Sequence, residues 1–372
     1  MNVIMIPSAS GGLGHIGRTA ALGRAIARLN PHLNIEYLLD TEKLRPFNVD
    51  AAAAMGYRVS LLPLRHRTER DAIVRTCLGH ADVIVEDTCR SLISYRKLLP
   101  HAAWMSIPMY PLWDELFMDW PLLEQVDVIA WAYPSALKFP AELMSLSPKV
   151  LHTGPFIEVT DIPKRRAARA ALGFAADEKI VLYSPRGMSF GRVFGEQVLA
   201  AVVGAVRVLR KQQRVRLILT SVNHRNELRA PGVPERLPKW VSVMPTLAPR
   251  QMLTYVRAAD VAVTEGSNAT QEAGALGTPI LMVPGTIYEA WLLGTHLEVS
   301  DAAKVVWIED VDAATLAKNL GELINNAKLR NTLTANAMKA ISGGKGVDAA
   351  ARWVVAAARR AHAQRRVTSR AA

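Results

Sequence analysis

Thirteen short apolar runs recur along this chain, each four to six residues and rich in Val, Ile and Leu, with helix-like segments between most of them. The first seven predict strands at Val3–Ile6, Ile35–Leu39, Arg58–Leu62, Val83–Glu86, Ala103–Ile107, Val126–Trp131 and Val150–Thr153. Six more follow at Ile180–Ser184, Arg216–Thr220, Val241–Met244, Val261–Thr264, Ile280–Val283 and Val305–Ile308. None alternates polar with apolar residues, so each strand has to be covered on both faces. Helical patterns at Ile16–Leu29, Asp71–Gly79, Leu92–Leu99, Glu196–Leu209, Arg250–Ala258, Ala269–Leu276, Ala313–Asn325 and Asp348–Ala363 supply the cover. Buried strands separated by helices make an α/β protein with parallel, doubly wound sheets.

The alternation breaks once, at residues 155–166 (PFIEVTDIPKRR), where two prolines precede a basic run. At about 100–200 residues per domain, 372 residues predict two domains. The break divides them into residues 1–157 and 158–372, with the last helix placed to pack back on the first domain. Two such domains in tandem are expected to face each other across a ligand-binding cleft at the carboxyl ends of their strands. Two cysteines, Cys77 and Cys89, are too few for a disulfide scaffold or a four-cysteine zinc site. The first residues have no basic start or long apolar segment, and the apolar stretch Val198–Leu209 contains Arg207, so the expectation is a cytoplasmic protein, with the inner membrane face as a peripheral location.

Charge is uneven along the sequence. Residues 1–150 hold 15 basic and 15 acidic side chains, so the net +12 arises after residue 150. Arg352 to Arg370 contributes six arginines and no acid. This surplus suits an anionic partner such as phosphate or acidic lipid. For the terminal arginines the preferred reading is a solvated helix face with a frayed tail. No zinc-finger spacing or RNA-recognition signature accompanies the charge, so no nucleic-acid partner is expected.

Three loops carry candidate chemistry. The first, Ser8-Ala9-Ser10-Gly11-Gly12-Leu13-Gly14-His15, joins strand to helix, where glycines allow a tight turn and a helix start favours negative charge. It lacks the acid of a dinucleotide fingerprint and the Gly-Lys-Ser/Thr of a P-loop. His15 stands at the junction, either as a base able to take a hydroxyl proton or as a helix cap. Asp87, just after Val83–Glu86, either orients His15 or caps the next helix, with Glu86 on the opposite strand face. The second loop, Glu265-Gly266-Ser267-Asn268-Ala269-Thr270-Gln271-Glu272, follows the strand Val261–Thr264 and offers helix-start N–H groups to a diphosphate. Glu272 could accept from two ribose hydroxyls, or complete a capping box. In the third loop, Arg186 and Ser189 flank Gly187 and could hold phosphate oxygens.

Together these segments resemble glycosyltransferases of the two-domain GT-B architecture. Nearest in pattern are the UDP-glycosyltransferase superfamily and the lipid-linked N-acetylglucosaminyltransferase of peptidoglycan synthesis. Gly266-x-Asn268-x-Thr270-x-Glu272 matches the second half of that superfamily's donor signature, followed by Gly277-Thr278-Pro279 and a strand ending at Pro284. Arg169-Ala170-Ala171-Leu172-Gly173, with Asp177 and the strand Ile180–Ser184, fits the region after the linker. Gly12-x-Gly14-His15 resembles the acceptor-side loop, whose histidine deprotonates the acceptor. The resemblance implies diphosphate contacts from Thr264, Gly266, Ser267, Asn268, Ala269 and Thr270, base recognition near Thr246 and Leu247, and sugar contacts from Tyr288 and Glu289. Thr264 stands where the family often has a histidine, and Tyr288-Glu289 where it often has Asp-Gln or Gln-Gln. Gly14-His15-Ile16-Gly17-Arg18 also resembles the related nucleotide-sugar hydrolases of nonulosonate synthesis.

The implied reaction is inverting, metal-independent transfer from a nucleotide-diphosphate sugar, with UDP preferred and dTDP next. The acceptor is a hydroxyl of a small molecule or lipid, and no cofactor is required beyond the co-substrate. Residues 104–133 include four of the eight tryptophans, and Trp104, Tyr110 and Trp113 are expected to form an aromatic wall for the acceptor. Docking at an anionic membrane surface and ordinary core packing are the other readings of that segment. A hydrolase, a non-catalytic sugar-nucleotide or lipid binder and a nucleotide-sugar 2-epimerase compete for the same architecture.

Overall fold

A computed structural model describes residues 1–8, 13–40, 46–53, 56–62, 70–110, 121–135, 137–157, 159–185, 192–220, 236–244, 247–341 and 346–371. The chain forms two compact units, Met1–Glu158 with Gly343–Ala372, and Val159–Ser342.

The first unit is built on seven parallel strands in the order β3-β2-β1-β4-β5-β6-β7. They are β1 (Asn2–Pro7), β2 (Asn34–Asp40), β3 (Arg58–Leu62), β4 (Val83–Asp87), β5 (Ala103–Ile107), β6 (Val128–Trp131) and β7 (Val150–His152). The order reverses between β1 and β4, the position at which doubly wound sheets open a crevice at their carboxyl ends. Their register sets Pro7 beside Asp87. Helix α1 (Gly14–Leu29) follows β1 and buries Ile16, Leu22 and Ile26. Helices α2 (Pro46–Ala53) and α3 (Arg70–Leu78) follow in the same unit, and α4 (Arg165–Ala171), α5 (Arg192–Leu209) and α6 (Pro249–Ala258) belong to the second. The last helix, Gly346–Ala371, supplies Val347, Ala350, Ala351, Val354, Ala357 and Ala358 to the same core.

The second unit repeats the design with six parallel strands in the order β10-β9-β8-β11-β12-β13. These are β8 (Lys179–Ser184), β9 (Val215–Leu219), β10 (Val241–Val243), β11 (Val261–Thr264), β12 (Ile280–Met282) and β13 (Lys304–Val305). Here the order reverses between β8 and β11. Helices Arg192–Leu209 and Ala313–Asn325 cover one face, and Gly204 permits their close approach, because a Cβ there would lie 2.7 Å from that of Ala313.

Three segments depart from expectation. The helix expected at Leu92–Leu99 is a 3-10 segment, Arg90–Leu98, with Leu99 as its C-cap. Nine residues at about 2.0 Å each span roughly 18 Å, against about 13.5 Å for an α-helix, and so return the chain along a five-residue strand of about 17 Å. The strand at Val305–Ile308 ends at Val305, and Ile308–Asp310 turns into a 3-10 segment. The terminal arginines continue the last helix to Ala371 rather than fraying, and Arg365 is anchored on the buried Asp82 carboxylate and the His80 carbonyl. That helix also changes the charge distribution. Met1–Glu158 holds 15 basic and 16 acidic side chains and Gly343–Ala372 seven and one, so the first unit carries +5 and the second +7. No helix among the described residues is long and apolar enough to cross a membrane.

Candidate functional site

Each unit gathers candidate residues at its own strand-order reversal. In the first, His15 is the second residue of α1 and Asp87 the last of β4. The register that sets Pro7 against Asp87 brings His15 Nδ1 within 2.7 Å of Asp87 Oδ1. Asp87 is fully buried, while the His15 side chain is 18% exposed. Burial alone would raise the Asp87 pKa, but the Arg18 and His15 contacts outweigh it and hold the carboxyl at about 2. An ionised carboxylate only accepts hydrogen bonds, so His15 Nδ1 carries the proton and donates it to Asp87. In the neutral ring Nε2 then keeps its lone pair.

Both capping alternatives fall away. Leu13 holds the N-cap position of α1, with no side-chain cap, and the His15 ring is committed to Asp87. Glu86 starts the segment after β4, its carboxylate accepting from Cys89 N at 2.8 Å and from the Ser106 hydroxyl. Asp87 is therefore free of that duty.

Arg18 went unassigned in the sequence. It is 6% exposed and binds both Asp87 oxygens, Nε to Oδ2 at 2.9 Å and Nη2 to Oδ1 at 2.5 Å. Its spacing of three residues from His15, one helical turn, was the available signal. Thr88 closes the group by donating to Asp87 Oδ1 at 3.1 Å, with a positive φ of 61° that is rare for a β-branched residue.

The acceptor-side aromatics are only partly where the sequence placed them. Trp104 is a correction: it lies within β5 with 0% exposure. A central strand of a parallel sheet hides both faces, so a tryptophan there is core whichever way it points. Tyr110 packs at the edge of an aromatic cluster, its ring centroid 5.5 Å from Trp131 and 5.7 Å from Tyr133. Gly14 opens α1, while Gly12 and Trp113 lie outside the described residues.

In the second unit, β11 ends at Thr264 and helix α7 (Asn268–Leu276) begins after the cap Ser267, whose hydroxyl accepts from Ala269 N at 3.3 Å. Gly266 has φ 79°, and a Cβ on it would lie 2.6 Å from that of Ala290. Glycine is required on both counts. Thr264 and Thr270 are turned inward. The Thr270 hydroxyl donates to that of Thr264 at 2.8 Å and accepts from Gly266 N at 3.1 Å. They brace the turn, as does the buried Glu265, which accepts from the Tyr183 hydroxyl. Among the described residues, the N–H groups of Ser267 and Asn268 have no partner and stand open at the helix start.

Glu272 sits at the fifth position of α7. A capping box needs its acid at the third, which is Thr270, so that alternative fails. The side chain is half-buried, and among the described residues its carboxylate has no hydrogen bond or ion pair. Poor solvation raises its pKa to about 8. Helix α8 (Tyr288–Val299) starts beside the turn. Its Glu289 is buried, whereas Tyr288 is 36% exposed and stacks on Trp291 with centroids 6.0 Å apart, so the two predicted sugar contacts occupy different environments. Leu247 lies half-buried before the next helix; Arg186, Gly187, Ser189 and Thr246 lie outside the described residues. Among the described residues no group of three or more His, Cys, Asp and Glu could hold a metal ion.

No family model and no curated protein matches this sequence. Solved structures do share its fold along nearly the whole chain. The glycotransferase of kitacinnamycin is 16% identical over 96% of this chain and 98% of that one, with a TM-score of 0.63. A putative UDP-N-acetylglucosamine 2-epimerase from Listeria monocytogenes is 12% identical over 94% of each chain, with a TM-score of 0.65. MurG of Acinetobacter baumannii is 14% identical over 95% and 99%, with a TM-score of 0.57. The fold is thus GT-B, two parallel α/β units in tandem.

Proposed function

We propose that this protein is an inverting glycosyltransferase that moves a sugar from a nucleotide-diphosphate donor to a hydroxyl of a small-molecule or lipid acceptor. UDP is the first choice of nucleotide and dTDP the second. The observation that carries the reading is the His15–Asp87 pair at the strand-order reversal of the first sheet, with Nδ1 donating to the carboxylate and the ring reachable. His15 takes the acceptor proton as the acceptor oxygen attacks the anomeric carbon, and the bond to the diphosphate breaks on the opposite side. Charge developing on the departing diphosphate meets the open N–H groups of Ser267 and Asn268 at the start of α7, so the transfer needs no metal. Glu272 accepts from the ribose hydroxyls. Arg186, Gly187, Ser189 and Thr246 complete the donor side, Gly12, Gly14, Tyr110 and Trp113 line the acceptor side, and the enzyme works in the cytoplasm or peripherally at the membrane.

Calorimetric titration with UDP, dTDP, GDP and CMP tests the donor half. Micromolar binding of one of them, weakened more than tenfold in Glu272→Ala, is the expected result. Binding by none, or binding indifferent to Glu272, refutes the donor site. With the nucleotide known, release of free sugar from its sugar conjugate without an acceptor identifies a hydrolase, and scrambling at C2 of the sugar an epimerase.

A further inference from the structure

Among the described acids, Asp87 is notable for four donor contacts aimed at its carboxylate. His15 Nδ1, Arg18 Nη2 and the Thr88 hydroxyl converge on Oδ1, and Arg18 Nε occupies Oδ2. A carboxylate beside an imidazole ordinarily does two things. It fixes the ring's tautomer and orientation, and its charge favours the doubly protonated ring. The first helps a general base and the second works against it, because a base must start neutral.

We infer that Arg18 is a positioning residue that separates these two effects: it clamps the Asp87 carboxylate against His15 Nδ1 and cancels its charge. The inference rests on the proposed role of His15 as base. Three features support it. The guanidinium is buried, so water does not screen the pair. Its planar fork spans both carboxylate oxygens, which a lysine ammonium cannot do. Nη2 also stands 3.1 Å from His15 Nδ1. Both are donors directed at Oδ1, so no bond joins them, and the guanidinium charge opposes a second positive charge on the ring. Among the described residues the other titratable group behind Asp87 is Tyr37 on β2, whose fully buried hydroxyl is kept neutral by desolvation, with Arg24 further along α1. The left-handed backbone at Thr88, costly for a β-branched residue, persists where its hydroxyl joins the same carboxylate.

The test is nitrogen-15 NMR of the full chain with labelled histidines, followed through pH, with His15 assigned by the signal lost in His15→Gln. In the wild type the ring is expected in one tautomer, protonated at Nδ1. In Arg18→Gln, uptake of the second proton should move up by about one pH unit or more, because the carboxylate charge is no longer offset. Arg18→Lys, the variant to rely on if Arg18→Gln does not fold, should hold that pH within about half a unit but populate the second tautomer, since the charge remains and the fork is lost. An unchanged or lowered protonation pH in Arg18→Gln overturns the inference, as does protonation at Nε2 in the wild type or an unmixed tautomer in Arg18→Lys. A purely structural ion pair would lower the melting temperature and leave these signals in place. None of them depends on nucleotide, so failure of the transferase reading shows separately in the titrations above.

Discussion

Glu272 supplies a prediction in which the proton itself reports the contact. With a pKa of about 8 in the free protein, roughly 0.9 of the Glu272 carboxyls carry a proton at pH 7. Ribose hydroxyls donating to it favour the ionised form, so binding returns the pKa toward the ordinary glutamate value and releases close to one proton. The linked affinity should rise about tenfold per unit below pH 8 and level off above it, a gain of roughly 50-fold between pH 6 and 8. Calorimetry of UDP binding at pH 7 in buffers of different ionisation enthalpy measures the count directly. UDP has its own titrating phosphate, so the Glu272 share is the difference between wild type and Glu272→Gln, expected near 0.9 protons. Equal proton counts in the two proteins, or uptake in place of release, would refute the assignment. The same shift has a stability consequence with a fixed sign. A folded-state pKa raised above the unfolded one contributes stability in full below about pH 4.5 and loses it as pH rises through about 8. Between those values the wild type should lose thermal stability relative to Glu272→Gln.

His15→Gln should lower turnover by about 10²- to 10⁴-fold while nucleotide affinity stays within twofold, read by steady-state kinetics beside calorimetry. Gly266→Ala meets both a positive φ and the Ala290 side chain; a loss of about 2 kcal/mol or more in urea unfolding and more than tenfold weaker nucleotide binding are expected. Arg365→Ala leaves the buried Asp82 without its arginine partner and should cost about 2 kcal/mol in the same assay, with nucleotide binding untouched. Trp104→Phe should destabilise by about 1–3 kcal/mol and leave the KM for acceptor unchanged, whereas a side chain on the acceptor wall would change it.

The strand pattern was legible because a parallel sheet covered on both faces demands apolar residues at every strand position, and thirteen such runs became thirteen strands. The turn at Gly266 was legible through its residue types, since few sequences suit a left-handed glycine followed by a Ser cap. The sequence did not disclose contacts made by register. His15 and Asp87 lie 72 residues apart and meet because β1 pairs with β4. Arg18 stood in a motif already noted, one helical turn from His15, but its grip on both Asp87 oxygens depends on the same register. Thr264 and Thr270 were illegible for a related reason: a hydroxyl beside a glycine turn at a helix start reads as open to a ligand until its hydrogen bond is found inside the turn. Trp104 misled because aromatic residues mark walls and cores alike, and only strand order distinguishes them.

The two acids of the proposed reaction are held in opposite states by one physical balance. Asp87 and Glu272 both pay desolvation, and burial is the largest influence on each. They differ in partners. Asp87 has Arg18, His15 and Thr88 built around it and is ionised at about pH 2 and above, so it is ready as an acceptor before any ligand arrives. Glu272 has no partner among the described residues and stays largely protonated at neutral pH until hydroxyl donors reach it. An acid that must hold a base in place gains from preorganisation, because rearranging it during proton transfer would add to the barrier. An acid that must recognise a ligand gains from being incomplete, because the donors that satisfy it are then supplied by binding. The pH dependence of donor affinity should accordingly follow Glu272, and exchanging Asp87 for Asn should leave that dependence unchanged while removing turnover.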